Sequence, residues 1–302
     1  MASAGLRAVR ARILYRALVI ISAIGRRIPL RLGRVFGRGL GALAWQVARR
    51  ERRKALANIA KAFPDWPAAD HRKTIRAMFR HFGISLFEIA WLPNITMANV
   101  AETTKIEGLD RIVELVRGGR SIVIFTGHCG NWEWLAFTCG LHAPVSVIQR
   151  ERDEAGMNDY ITALRARVGI RTVDRGSAAS AREIIQALRR PGVLAFLIDQ
   201  SLRAESAKIE FFGIPALTPI GPAKLAIRTE AAVAAAFIHR GDDGIQHVRF
   251  LEPIDTHRND DPIALTTTIT HQIEEQIRAH PEQWVWMHDR WRDRPEWDVG
   301  RS

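Results

Sequence analysis

The sequence predicts an α/β protein in which a largely parallel sheet is flanked by helices and preceded by membrane-associating helices. Three observations predict it. From residue 121 onward, short apolar runs rich in β-branched residues alternate with segments of helical period, the pattern of strand–helix–strand units. The first run, Ser121-Ile122-Val123-Ile124-Phe125, passes through a turn containing two glycines straight into a helix. Before all of this, the N-terminal arm gathers the chain's positive charge between apolar stretches.

Taken in order, residues 1–54 hold fourteen Lys and Arg against one acid, Glu51, so they carry +13 of a formal net charge of +12 and the rest carries −1. A basic arm can contact nucleic acid or anionic lipid. Here the arginines bracket apolar runs, Ile13–Ile24 and Leu40–Ala48, which favours lipid and argues against nucleic acid. Neither run reaches the roughly 18 apolar residues of a spanning helix. Segments lying on or dipping into a membrane fit, as does a solvated helix pair packed on the body. Gly33, Gly37 and Gly41, spaced by four, would give one smooth helix face for close packing. Residues 1–50 are therefore read as a membrane-associating segment and 51–302 as a single domain.

Arg50–Phe63 reads as a helix halted by Pro64, and about Ala69–Trp91 as a longer helix with Ile75, Met78, Phe79, Phe82, Leu86 and Ile89 on one face. Gly108–Arg117 is helical. After the first strand, Trp132–Leu141 is a helix, Val145–Gln149 a strand, Asn158–Val168 a helix, Ile170–Val173 a strand and Ser177–Arg190 a helix. Gly192–Ile198 is a buried strand and Ile209–Gly213 a short one. A helix over Pro219–Thr229, strands near Ala232–Ile238 and Gln246–Phe250, and a helix over Ile263–His280 complete the series.

The turn Thr126-Gly127-His128-Cys129-Gly130-Asn131-Trp132-Glu133 places His128 at the carboxyl end of a strand, where open α/β sheets bind ligands. His128 and Glu133 would stand about 140° apart on one helix. They meet if His128 sits on the turn and Glu133 reaches back, and a carboxylate there would orient the imidazole for proton abstraction from a hydroxyl. The alternative is a loop histidine beside an acid that only offsets the helix dipole. Asp199, followed by Gln200, ends an apolar strand on the same presumed sheet edge, as a site residue or as a turn residue. Arg150 and Arg165 could each hold phosphate or phosphopantetheine, or form ordinary salt bridges. The run Pro281–Trp291 packs three tryptophans and His288 into eleven residues and reads more as a core clasp than a site.

No G-x-S-x-G elbow occurs, and Cys129, adjacent to His128 on an extended turn, points away from it. The two cysteines, Cys129 and Cys139, suit a reducing compartment. With His128 and His142 they lack zinc spacing, so no metal is expected.

Together these blocks resemble the bacterial lipid A biosynthesis acyltransferases, the lauroyl/myristoyl family. The resemblance runs through Arg53…Asn58-Ile59…Phe63-Pro64, Gly127-His128-x-Gly130-Asn131-Trp132-Glu133, Arg150…Asn158…Arg165, Asp199-Gln200, Phe211-Phe212-Gly213…Thr218-x-x-Gly221, and Pro281-Glu282-Gln283-Trp284-x-Trp286-x-His288-x-Arg290. It implies a mixed sheet of the glycerol-3-phosphate acyltransferase type and an enzyme at the cytoplasmic face of the inner membrane. Such an enzyme moves a fatty acyl group from acyl carrier protein to a glycolipid hydroxyl of a lipid A precursor, the thioester being a co-substrate and no cofactor being needed. His128 would be the general base and Glu133 its orienting partner. Asn131, Arg150, Asn158, Arg165, Asp199 and Gln200 would contact substrate. Another glycolipid acceptor, such as a phosphatidylinositol mannoside, or an inactive membrane lipid-binding protein are the competing readings. Where relatives often read His-x-Arg-Phe-Lys, this chain has His288-Asp289-Arg290-Trp291-Arg292.

Overall fold

Two helices, α1 (Ala2–Gly25) and α2 (Leu30–Val47), open the chain in a computed structural model that describes residues 2–150, 155–175, 178–201 and 204–292. They lead into α3 (Arg49–Ala62) and α4 (Ala68–Trp91), which match the predicted helices within two residues. Gly33, Gly37 and Gly41 are the buried face of α2, laid against Gly83 and its neighbours on α4. A Cβ on Gly37 would meet the Gly83 carbonyl oxygen at 2.6 Å and the Ile84 Cα at 2.8 Å, so the helix axes approach at a distance that only glycine permits. The outer face of α2 carries Leu32, Val35, Phe36, Leu40, Leu43 and Val47, all exposed. Among the described residues no helix is long and apolar enough to cross a membrane.

The remaining elements are β1 (Thr104–Glu107), α5 (Leu109–Arg117), β2 (Ser121–Thr126), α6 (Trp132–His142), β3 (Val145–Arg150), α7 (Ala155–Ala166), β4 (Arg171–Arg175), α8 (Ala178–Leu188), β5 (Gly192–Leu197), β6 (Ser206–Phe211), β7 (Ile214–Pro219), α9 (Gly221–Thr229), β8 (Ala232–Arg240), β9 (Gln246–Phe250) and α10 (Pro262–Ala279). Seven strands form one sheet in the order β1-β9-β8-β2-β5-β3-β4. It is largely parallel, and the antiparallel β8–β9 pair makes it mixed. Strand β2 is central. Its alternate residues feed two cores, Ile122 and Ile124 on one face and Val123 and Phe125 on the other, which is why the run is apolar throughout.

Two departures from the expected elements have local causes. The strand expected over Ile209–Gly213 is a hairpin, β6 turning into β7 at Phe212 and Gly213, and it stands apart from the main sheet. Both turn residues have positive φ, 56° and 71°, the geometry of a tight two-residue turn with Phe in a place usually held by Asn. Phe212 is held there by its amide donating to Glu274 at 2.6 Å and by packing under the Arg278 guanidinium. Strand β1, which the sequence pattern does not predict, is a four-residue edge strand whose alternation is too short to register.

Candidate active site

The parallel register fixes the site. Phe125 pairs with Phe196 and Thr126 with Leu197, and the Ile198 amide donates to the Thr126 carbonyl at 3.2 Å. The carboxyl ends of β2 and β5 therefore finish side by side, His128 emerging from one and Asp199 from the other. The His128 Nδ1 lies 2.7 Å from Asp199 Oδ1, and the His128 amide donates to Asp199 Oδ2 at 2.7 Å. Gly127 leaves room for this, since a Cβ there would stand 3.2 Å from that same Oδ2.

Asp199 is fully enclosed. The Trp284 indole Nε1 donates to its Oδ2 at 2.7 Å, so three N–H groups converge on one buried carboxylate. Burial alone pushes its pKa up, but the His128 ring, the indole and the backbone amide outweigh that and bring it down to about 2. An ionised carboxylate only accepts, so the Nδ1 of His128 carries the proton and Nε2 is left as the basic nitrogen. Among the described residues Nε2 has no hydrogen-bond partner. The ring of Trp132 stands edge-on to the imidazole, centroids 5.0 Å apart.

Glu133 does not reach back to His128, which corrects the expectation drawn from the five-residue spacing. Its two carboxylate oxygens accept from Arg165, at 2.6 and 2.9 Å, in a bidentate pair that is mostly buried. The reason is rotational: α6 begins at Trp132, and Glu133 in its first turn faces α7 rather than the strand end. Arg165 also donates to Gln149 Oε1 at 2.9 Å, so its guanidinium is engaged within the protein. Glu133 and Arg165 line a crevice together with apolar side chains including Ile124, Leu135, Val147, Val193 and Ala195.

Asn131 caps α6 by accepting from the Trp134 amide at 3.2 Å, and its Nδ2 donates to Glu88 Oε2 at 3.1 Å. That makes it a support of the turn. Asn158, on α7, lines a separate polar cleft with Tyr15, Gln149 and Asp174. Arg150 closes β3, its side chain lying outside the described residues. Gln200 follows Asp199, half-buried. The Gly130 amide donates to the Gln283 carbonyl at 2.8 Å, which removes it from the donors at the start of α6 that could receive an oxyanion.

Two contributors are not apparent in the sequence. The segment after α10, read as a core clasp, is both clasp and site. Trp284 bridges Cys129 and donates to Asp199, while Asn58 on α3 holds the Trp286 and His288 carbonyls at 2.8 and 2.6 Å. Arg290, fully buried, anchors this segment to the β6–β7 hairpin through Thr218 Oγ1 at 2.6 Å, with its guanidinium over the Phe211 ring. The second is Glu88, whose signal was the polar line His81, Ser85, Glu88 running along one side of α4. Cys129 is buried, and its thiol is pushed well up by that burial and by Asp199, as unsuited to nucleophilic attack as the turn geometry predicts.

The sequence as a whole matches the family model of the bacterial lipid A biosynthesis acyltransferases over residues 5–293. It is 27% identical over 271 residues to the lipid A biosynthesis palmitoleoyltransferase of Escherichia coli (strain K12), covering 88% of this chain and 86% of that one. It is 26% identical over 266 residues to the lipid A biosynthesis lauroyltransferase of the same strain, covering 86% and 85%. A phosphatidylinositol mannoside acyltransferase of Mycobacterium tuberculosis (strain H37Rv) is 26% identical over 242 residues, 78% of this chain and 75% of that one. A family model matched over residues 5–293, almost from end to end of the chain, places this protein in the bacterial lipid A biosynthesis acyltransferase family.

Proposed function

We propose that the protein moves a fatty acyl group from an acyl-carrier-protein thioester to a hydroxyl of a lipid A precursor, with His128 as general base and Asp199 as the carboxylate that orients it. The observation that carries this reading is the 2.7 Å contact between His128 Nδ1 and a carboxylate kept ionised by three donors. It fixes the tautomer and supports the imidazolium that forms when Nε2 takes a proton.

The acceptor hydroxyl gives its proton to Nε2 as its oxygen attacks the thioester carbonyl. The tetrahedral intermediate collapses with cleavage of the C–S bond, and the imidazolium returns the proton to the departing thiolate. The products are an ester and the carrier thiol, and the histidine is unchanged. A thioester is already activated, so an oriented base suffices and no covalent intermediate on the enzyme is required. The amides of Asn131 and Trp132, at the positive end of α6, are the donors assigned to the oxyanion. The apolar crevice beside the Glu133–Arg165 pair would take the acyl chain. Arg150, Asn158 and Gln200 are assigned, from the sequence resemblance, to the head of the acceptor or the carrier arm. The exposed apolar face of α2, with arginines beside it, would rest on the cytoplasmic face of the inner membrane, where the acceptor's chains are dissolved.

A second acceptor class merits the same assay, because one relative of comparable identity acts on phosphatidylinositol mannoside. Purified protein is incubated with a series of acyl-carrier-protein thioesters and either a tetra-acylated lipid A precursor or a phosphatidylinositol mannoside, and products are read by mass spectrometry beside His128→Ala. The expected result is one added acyl mass on the lipid A precursor, absent in the variant. Acylation of the mannoside alone would replace the acceptor. No product on either, from folded protein, would overturn the reading.

A further inference from the structure

Three carboxylates are buried among the described residues: Asp199, Glu133 and Glu88. The first two are accounted for by the imidazole and by Arg165. Glu88, on α4 and fully enclosed, has no part in the chemistry, yet side chains from three other segments of the chain converge on it. Its Oε1 accepts from Arg34 Nε of α2 at 2.8 Å and from Arg240 Nε at the end of β8 at 2.8 Å. Its Oε2 accepts from the second arm of Arg240 at 3.0 Å and from Asn131 Nδ2 at 3.1 Å.

Following those partners outward leads to the His128 turn from two sides. On one side Asn131, three residues past His128, caps α6. On the other, the backbone of Arg240 is clamped by the Gln283 side chain, its N–H donating and its carbonyl accepting at 2.9 Å each, and the Gln283 carbonyl receives the Gly130 amide. The next residue, Trp284, is the indole donor to Asp199. Glu88 thus holds Asn131 directly and is linked to Gly130 through Arg240 and Gln283, the residue before the indole donor to Asp199. Arg240 also contacts His81 Nδ1 at 3.1 Å and Ser85 Oγ at 3.1 Å, so one carboxylate balances two guanidinium groups beside a histidine kept neutral by burial and by Arg240. Arg34 is the inward-facing charge on a helix whose outer face is apolar and exposed.

We propose that Glu88 is a positioning residue for the His128 turn, and that through Arg34 it makes the geometry of that turn depend on the seating of α2. This rests on the reading of His128 as the base. Replacing the carboxylate by an amide keeps the volume and one acceptor but leaves two buried cations facing each other, and the turn must relax.

The test uses the full chain in detergent micelles, with Glu88→Gln and Arg34→Gln. Glu88→Gln is expected to lower kcat by about 10²-fold, the cost of a misplacement near 1 Å, with KM for thioester and acceptor little changed. Arg34→Gln, which leaves the Glu88–Arg240 pair neutral, is expected to move kcat the same way by less. A readout independent of turnover is the downfield proton resonance of His128 Nδ1–H, assigned by its loss in His128→Gln. It should be sharp in the parent protein and broadened in Glu88→Gln. A sharp resonance and a parental kcat in both variants would overturn the proposal. Should Glu88→Gln fail to fold, Arg34→Gln carries the same two readouts, and a parental result in both of them overturns the proposal alone. If the protein proves not to be an acyltransferase, the resonance still reports whether Glu88 positions the turn.

Discussion

Replacing Asp199 by asparagine tests the site more sharply than removing the histidine. Two of the three groups facing this carboxylate, the His128 amide and the Trp284 indole, can only donate, and both point at Oδ2. The amide oxygen of asparagine must therefore take the Oδ2 position, which turns its NH2 group toward His128 Nδ1. That nitrogen must then accept, so the ring proton moves to Nε2 and the basic nitrogen proposed for proton abstraction is lost. The expected loss in kcat is about 10³–10⁴-fold, the range for losing a correctly oriented general base. Stability should fall too. The folded pKa of Asp199 is lowered, from 3.8 to about 2, so its ionised form stabilises the fold above the unfolded value, and that contribution is lost as pH falls toward 2. The lowering is worth roughly 2 kcal/mol. Initial rates of acyl transfer across neutral pH, with thermal unfolding from pH 7 down to 2, make the assay. The variant should unfold a few degrees earlier at pH 7 and lose the part of the acid-induced drop that Asp199 contributes. A folded Asp199→Asn protein retaining a tenth or more of parental kcat would refute the tautomer argument.

Other contacts give further expected outcomes. Glu133→Gln and Arg165→Gln should each reduce kcat/KM less than His128→Ala, and the double variant should cost little more than either single one, because they break the same buried pair; additive losses would show separate roles. Gly37→Ala, forcing a Cβ onto the Gly83 and Ile84 backbone, should destabilise the α2–α4 contact by about 1–3 kcal/mol, read as a lower Tm in micelles. Cys129→Ala should keep activity, and both cysteines, buried and with raised pKa values, should resist iodoacetamide at pH 8 until the chain unfolds; rapid alkylation of native protein would contradict that.

The sheet was legible because its strands are buried on both faces and therefore apolar without interruption, and because Gly127 and Gly130 mark the end of the central one. The glycine face of α2 was legible for the same kind of reason: spacing by four residues is a local pattern. Its partner, α4, was not, since nothing local encodes which helix receives it. The site was half legible. His128 and Asp199 were each found as polar residues ending apolar strands, but pairing them requires the strand order, which sets β2 beside β5 across the long stretch of chain that separates them. Sequence proximity suggested Glu133 instead. Trp284 and Glu88 were hidden because a tryptophan in an aromatic run and an acid in a long helix have many structural uses, and only the fold shows which atoms they meet.

The indole that encloses Asp199 comes from the far end of the chain. A ribosome that has completed the histidine turn and all of β5 has still not delivered that donor, nor the Gln283 carbonyl that holds Gly130 in place. The unfinished protein therefore carries its histidine and aspartate without one of the three donors that keep the carboxylate ionised. The carboxylate's surroundings are thus completed last, and any chain truncated ahead of Trp284 should be inert although every residue of the motif is present.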